Sequence, residues 1–217
     1  MKLVLISDTH GLHDHLNVPE GDVLLHAGDC SKSGKFGQIK DFNRFLGELP
    51  HPHKIIIAGN HDFGFEQHPA EAQALITNAT YLEDEAITIN GVKIYGTPWQ
   101  PEFHNWAFNL PRGAALKEKW DLIPADTDIL ITHGPPLNIG DRTFMGKRVG
   151  CEELAVRVKE IRPKIHLFGH IHEDAGQWQI DETLYVNASI APSPVSVMRR
   201  LQQPVVLEYN SLPTTSR

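Results

Sequence analysis

Residues 166–174 read HLFGHIHED. A strand-like apolar run stops at Gly169 and then offers two histidines, His170 and His172, separated by one isoleucine. In an extended chain the side chains at i and i+2 share a face, so if strand geometry persists both imidazoles approach one spot. Two imidazoles at one spot suit a metal or an anion. Four other stretches repeat the design of an apolar run closed by a polar cluster: KLVLIS running to Asp8, DVLLHAG to Asp29, KIIIAGN to His61, and DILITHG around His133. Continuous rather than alternating apolar runs suit strands buried on both faces, as in a sheet covered by helices.

Helical patterns lie between several of these runs. Apolar residues spaced by three or four predict helices over 38–49, 70–79, 113–122 and 152–161, with Pro69, Pro111 and Pro163 at their edges. A second strand style occupies 86–98, where an Asn90-Gly91 turn favours a hairpin, and 177–187, around Asp181-Glu182. PVVLEY near the C-terminus adds a further antiparallel strand, and 211–217 reads as a frayed tail. The fold class that fits is α/β, a sandwich of mixed sheets inside and helices outside.

A chain of 217 residues is most economically one domain, 1–217. Its 41% hydrophobic and 22% charged residues are ordinary for a soluble globular protein. The longest apolar runs are too short to cross a membrane, so no membrane partner is expected. Met1 opens directly into a strand pattern rather than a signal peptide, and Cys30 and Cys151 suggest no disulfide framework. A cytoplasmic location follows as an expectation. The net charge of −7 disfavours grip on a long nucleic acid, which draws on clustered Lys and Arg. A small anionic substrate is compatible with it where something local supplies positive charge. The unusual count is thirteen histidines, the commonest metal-ligating side chain.

The polar residues cluster at the carboxyl ends of the predicted strands, where open α/β sheets place their ligands. Asp8 and His10 lie in SDTHG, Asp29 in HAGDCS, Asn60, His61 and Asp62 in AGNHD, His133 in ITHGPP, and His170 and His172 in GHIH. Singly, each has a bland reading as turn former, helix cap or packed histidine. Together, five separated stretches supply enough nitrogen and oxygen ligands for two metal ions.

The ordered blocks D-x-H, G-D, G-N-H-D, T-H-G and G-H-x-H, spanning residues 8 to 172, resemble the signature of the calcineurin-like metallophosphoesterases. YGTPWQPEFHNWAFNLPRG (95–113), HAGDCS, ITHGPPLNIGD and RVGCEEL bring the chain close to the subgroup of metallophosphoesterase-domain-containing proteins, which is similar to class III cyclic-nucleotide phosphodiesterases. The resemblance implies a four-layer αββα sandwich of two mixed β-sheets flanked by helices, with a two-metal site. It makes Asp8, His10 and His172 ligands of one metal, Asn60, His133 and His170 ligands of the other, and Asp29 the bridge. His170 and His172 then serve different metals, with the chain bending after Gly169. Two cations about 3.5 to 4 Å apart need a shared anionic ligand to offset their repulsion. The metals are two divalent or trivalent transition ions; the oxygen-rich, thiolate-free set favours Mn or Fe, and Zn, Co or Ni also suit it.

The resemblance leaves His61 off the metals, facing the phosphoryl group as the catalytic proton carrier. Asp62 either orients His61 or serves as a turn or N-cap. Trp99, Phe103 and Trp106 either wall a slot in which a nucleobase stacks or form a satellite core. Arg148 either reaches the substrate or is solvated surface charge. Cys30 reads as core, while His26 and His166 lie within apolar runs beside the ligand segments. The expected function is a binuclear-metal phosphodiesterase that hydrolyses small or cyclic nucleotide diesters through a metal-bridging hydroxide. The rivals are a phosphomonoesterase or protein phosphatase, a nuclease, and a non-catalytic metal-binding scaffold. Oligomeric state is not legible.

Overall fold

The computed structural model describes residues 1–193 and 200–211, so the expected tail beyond 211 lies outside the described residues. The strands in chain order are β1 (Lys2–Ile6), β2 (Val23–His26), β3 (His53–Ile56), β4 (Thr80–Tyr81), β5 (Glu85–Ile89), β6 (Val92–Thr97), β7 (Gln100–Pro101), β8 (Asn109–Leu110), β9 (Ile129–Thr132), β10 (Ile165–Phe168), β11 (Gly176–Ile180), β12 (Thr183–Asn187) and β13 (Val205–Glu208). The α-helices are α1 (Phe36–Glu48), α2 (Phe63–Gln67), α3 (Pro69–Ala74), α4 (Ala114–Asp121) and α5 (Glu152–Ile161).

The long strands form two mixed sheets, ordered β13-β1-β2-β3-β4 and β11-β12-β10-β9-β6-β5. Within them β1, β2, β3 and β4 run parallel, as do β6, β9, β10 and β12. The antiparallel strands β13, β5 and β11 sit at the edges. Strand alternation assigns the layers. Leu3 and Leu5 of β1 meet Ile129, Ile131, Ile165 and Leu167 in a core between the sheets. Val4 and Ile6 face the other way, onto Ile39, Phe42 and Leu46 of α1. On the far side Leu130 and Phe168 pack against Leu116 and Trp120 of α4 and Leu154 and Val158 of α5. The result is the expected αββα order, and it explains the unbroken apolar runs: both faces of each central strand are covered.

The hairpins fall where the sequence puts them. Asn90 and Gly91 both adopt positive φ, 51° and 80°, the backbone of a type I′ turn, and Ile89 pairs with Val92. Asp181-Glu182 joins β11 to β12, with Ile180 opposite Thr183. The expected helix over 70–79 is shorter: α3 begins with Pro69 at its first turn and stops at Ala74. The Asn43 side chain ties down the chain just beyond, accepting from the backbone N–H groups of Thr77 and Asn78. The five-residue α2, which follows the Asn60–Asp62 block directly, has no counterpart in the sequence reading.

Beyond β12 the chain crosses between the sheets at their carboxyl-end edge. Ala188 N donates to Phe168 O in one sheet, while Ile190 N and Ala191 N donate to Ser7 O and Asp8 O in the other. The two sheets are thereby pinned together where the polar residues gather.

Candidate metal centre

Five loops leave the carboxyl ends of β1, β2, β3, β9 and β10 and converge. Their backbones are locally strained. Asp8, His10, Asp29 and His170 have φ of 53°, 44°, 56° and 69°, in the left-handed region that L-residues rarely occupy and that clusters at functional sites. Backbone bonds over-determine these conformations: Asp8 N donates to Gly28 O, His10 N to Asp29 O, and Gly169 N to His133 O. Both carboxylates also take backbone donors, Asp29 Oδ1 from His61 N at 2.7 Å and Asp8 Oδ2 from His170 N at 2.9 Å.

β10 ends at Phe168, so strand parity does not carry both histidines to one spot. Gly169 turns the chain, His170 takes the positive φ, and His172 opens a short 3-10 turn. Glycine is required at 169 because a Cβ there would stand 2.0 Å from Asp8 Oδ2 and 2.2 Å from Ser7 Oγ.

The donor atoms fall into two groups. In the first, His172 Nε2 lies 3.3 Å from His10 Nε2 and 3.2 Å from Asp8 Oδ1. In the second, Asn60 Oδ1 lies 2.8 Å from His133 Nε2 and 2.7 Å from His170 Nδ1. Asp29 Oδ2 stands between them, 3.6 Å from His10 Nε2 and 3.5 Å from His133 Nε2. Ligands about 2.0–2.2 Å from a transition ion stand roughly this far from one another, so the spacing fits ion binding. The charges fit as well. Asp8 and Asp29 are buried, and histidines are the only side chains in ion-pair reach of them among the described residues.

Burial pushes the Asp8 carboxyl up, yet His172, His133 and His10 outweigh it and hold it well below the usual range. Asp29 is lowered likewise, chiefly by His133 against its burial. Reciprocally, burial lowers His133 but Asp29 and Asp8 raise it to about 9, and His172 is raised against burial by Asp8. The donor set thus draws positive charge to its centre, whether from protons or from cations.

Supporting bonds fix the ligand rings. His133 Nδ1 bonds Ala27 O at 2.9 Å, which turns Nε2 toward Asn60 and Asp29. His26 accepts at Nδ1 from Gly28 N, so its Nε2–H donates to Thr9 Oγ1, between Asp8 and His10. His166 bonds Thr132 Oγ1 beside His133. Both histidines are fully buried, and burial lowers each to about 3. Ser189 and Asn187 escaped the sequence reading. Ser189 Oγ donates to Asp8 Oδ2 at 2.9 Å, and Asn187 Nδ2 donates to Ile171 O between the two histidines. The polar Asn187 and Ser189 at the end of an apolar strand were the available signal.

His61 borders the centre. Its Nδ1 lies 3.1 Å from Lys32 O, a pure acceptor, so Nδ1 carries the proton and Nε2 remains for the site. Trp106 packs on its ring at a centroid distance of 4.1 Å. Of the two roles expected for Asp62, its position follows the second: it stands at the N-cap of α2, without a side-chain capping bond, and its carboxylate does not hold His61. The buried Asp62 carboxylate accepts from Cys30 N, Ser31 N, Ser31 Oγ, Cys30 Sγ and Gly59 N, tying the Asp29 loop to the Asn60 loop. Cys30 is buried core, as expected.

The aromatic slot is also redrawn. Phe103 and Trp106 line a pocket of about 340 Å3 over His10, Asp29, Asn60, His61, His170 and His172. Trp99 is not among its lining residues: its indole N–H donates to Asp84 and Lys119 sits over its ring, in the satellite-core reading. Arg148 is fastened to the buried Asp141 and lines the neighbouring cavity rather than this pocket.

Comparison with known proteins agrees with the geometry. Residues 1–174 match the family described as calcineurin-like phosphoesterase. Metallophosphoesterase domain-containing protein 1 of Homo sapiens is 46% identical over 214 residues, covering 87% of this chain and 66% of that one, so the chain spans just under two thirds of that relative. A UPF0046 protein of Caenorhabditis elegans is 38% identical over 230 residues, covering 96% of this chain and 80% of that one. The solved structure of TT1561 from Thermus thermophilus superposes with a TM-score of 0.57 at 19% identity, covering 86% of this chain and 88% of that one, and shares the fold. The matched residues hold β1, β2, β3, β9 and β10, which carry the site, and the whole candidate donor set from Asp8 to His172, and the chain belongs to the calcineurin-like phosphoesterase family.

Proposed function

We propose that the protein is a binuclear-metal phosphodiesterase acting on small nucleotide diesters, with residues 1–217 working as one catalytic domain. The observation that carries this reading is the pair of donor groups sharing Asp29 at the floor of an apolar-walled pocket. Asp8, His10 and His172 would hold one ion, Asn60, His133 and His170 the other, and Asp29 both. Bound there, two such ions would supply Lewis-acid activation of water and charge neutralisation at phosphorus; manganese or iron suits the mixed, thiolate-free set of imidazole, carboxylate and amide.

The chain's own residues do the rest. His61, with its proton on Nδ1 held by Lys32 O, presents Nε2 to the phosphoryl group and carries a proton to or from the departing oxygen. Trp106 and Phe103 wall the pocket. The diester preference rests on charge: the lining residues include neither lysine nor arginine, so a singly charged diester needs less compensation than a doubly charged monoester. No helix among the described residues is long and apolar enough to cross a membrane. The two free, buried cysteines suit the reducing cytoplasm.

The test compares bis-p-nitrophenyl phosphate, p-nitrophenyl phosphate and 2',3'- and 3',5'-cyclic nucleotides with metal-loaded protein. Diesters are expected to be turned over faster than the monoester. Monoesterase activity well above diesterase activity would overturn the substrate assignment.

A further inference from the structure

A larger chamber of about 720 Å3 opens beside the metal pocket and shares Phe103, Thr143, Phe144, His170 and Ile171 with it. That is the size of a site for a drug-sized ligand, about 300–1,000 Å3. A cyclic mononucleotide at the metals leaves it unused. We infer that this chamber seats the leaving group of a linear nucleotide diester, a nucleobase followed by a terminal phosphate, while the scissile phosphate lies over the metal ligands. The inference rests on the phosphodiesterase reading above and narrows it.

Three features specify the occupant. Gln100 lines the chamber and is 1% exposed; its Nε2 donates to Ala107 O and Asn109 Oδ1, but its Oε1 has no partner. A buried acceptor left unsatisfied is destabilising, so Gln100 favours an N–H donor of the kind a nucleobase edge provides. Phe103, Phe144 and Met145 are 57%, 63% and 80% exposed, large apolar side chains lining one cavity. Such side chains form a platform for a planar ring.

The third feature is charge. Arg112 is committed to Val149 O, Gly150 O and Glu152, and Arg148 to Asp141. Lys147 makes no side-chain ion pair among the described residues and stands ready for a second phosphate. Glu102, also on the lining, adds an acceptor for ribose hydroxyls or base N–H groups.

The chamber wall is fixed relative to the metal ligands. Phe144 N donates to Glu173 Oε1 and Arg142 N to Asp174 Oδ2, in the turn that begins at His172. A substrate spanning both cavities therefore meets a preorganised site. Hydrolysis consumes one water. Its oxygen bonds phosphorus, the bond from phosphorus to the chamber-side ester oxygen breaks, one proton ends on that oxygen as a hydroxyl, and the other leaves the new monoester for solvent.

The experiment measures kcat and KM for the linear dinucleotides pApA and ApA, 3',5'-cyclic AMP and bis-p-nitrophenyl phosphate with manganese-loaded wild type, Lys147→Ala and Met145→Ala. In pApA the leaving nucleoside carries the terminal phosphate; in ApA it does not. Wild type is expected to prefer pApA to cyclic AMP. Loss of a charge-assisted contact in Lys147→Ala is expected to lower kcat/KM for pApA about tenfold, through KM, with a much smaller change for ApA. Met145→Ala is expected to raise KM about threefold for both dinucleotides. Equal or better turnover of cyclic AMP, or a Lys147→Ala effect that does not distinguish pApA from ApA, would overturn the two-chamber assignment while leaving the phosphodiesterase reading intact. No turnover of any diester, bis-p-nitrophenyl phosphate included, would remove both.

Discussion

His61 sits within reach of the metal ligands, its Nε2 3.9 Å from Asp29 Oδ2, and the proposed role separates it from them. Replacing it by alanine should leave two ions bound and lower kcat by about 10²–10⁴, the usual contribution of general acid–base catalysis; elemental analysis beside the kinetics reads both, and a variant that has lost an ion makes His61 a ligand instead. Asp62 is different in kind. Its carboxylate accepts three backbone N–H groups, from Cys30, Ser31 and Gly59, and burial together with Asp29 pushes its pKa up. Asp62→Ala strands those donors at about 1–3 kcal/mol each where water does not replace the carboxylate. A loss of about 3 kcal/mol or more in urea unfolding is expected, and a loss below about 1 kcal/mol would deny Asp62 its tying role. The sequence could name the residue but not choose between orienting His61 and serving as a turn or N-cap, and bracing two loops was beyond it, because that role depends on the four donors that the fold brings from Cys30 and Ser31.

At the level of elements, the turn after β10 packs directly against Asp8. Gly169→Ala forces a methyl group to within 2.0 Å of Asp8 Oδ2, so Asp8 must move. Metal affinity is expected to fall at least tenfold, read by competition with a chelator, and unchanged affinity would show that the turn has slack. The central strands also carry a pH liability. His26 in β2 and His166 in β10 are each lowered to about 3 by burial. The folded state therefore refuses a proton that the unfolded chain accepts near pH 6.5, and stability complete above that pH is lost as pH falls below it. At pH 5 each histidine costs about 2 kcal/mol. The urea midpoint should fall between pH 7 and 5, and less steeply in His166→Gln, whose amide still reaches Thr132; a variant with the wild-type slope would contradict this. The helix over 70–79 was cut short because Asn43, remote in sequence, captures Thr77 and Asn78, a competition that apolar spacing does not register.

Across the whole molecule, the αββα order was legible because apolar runs report burial on both faces, and the gathering of Asp, Asn and His side chains because five strand ends repeat one design. What the sequence could not give was how far each side chain reaches: Trp99 turned to Asp84, Arg148 to Asp141, and Ser189 came from beyond β12 to brace Asp8. The substrate cavities depend on such reaches. The candidate ligand residues are set in strained loops that are bonded from both sheets, so the two donor groups and Asp29 between them are held as one unit. In the proposed function this unit binds two ions and hydrolysis depends on both. It is tested by stripping the protein of metal and following bis-p-nitrophenyl phosphate turnover as manganese is restored. Activity absent from the stripped protein and saturating at about two bound ions per chain is the predicted result; full activity without metal, or saturation at one ion, would contradict it.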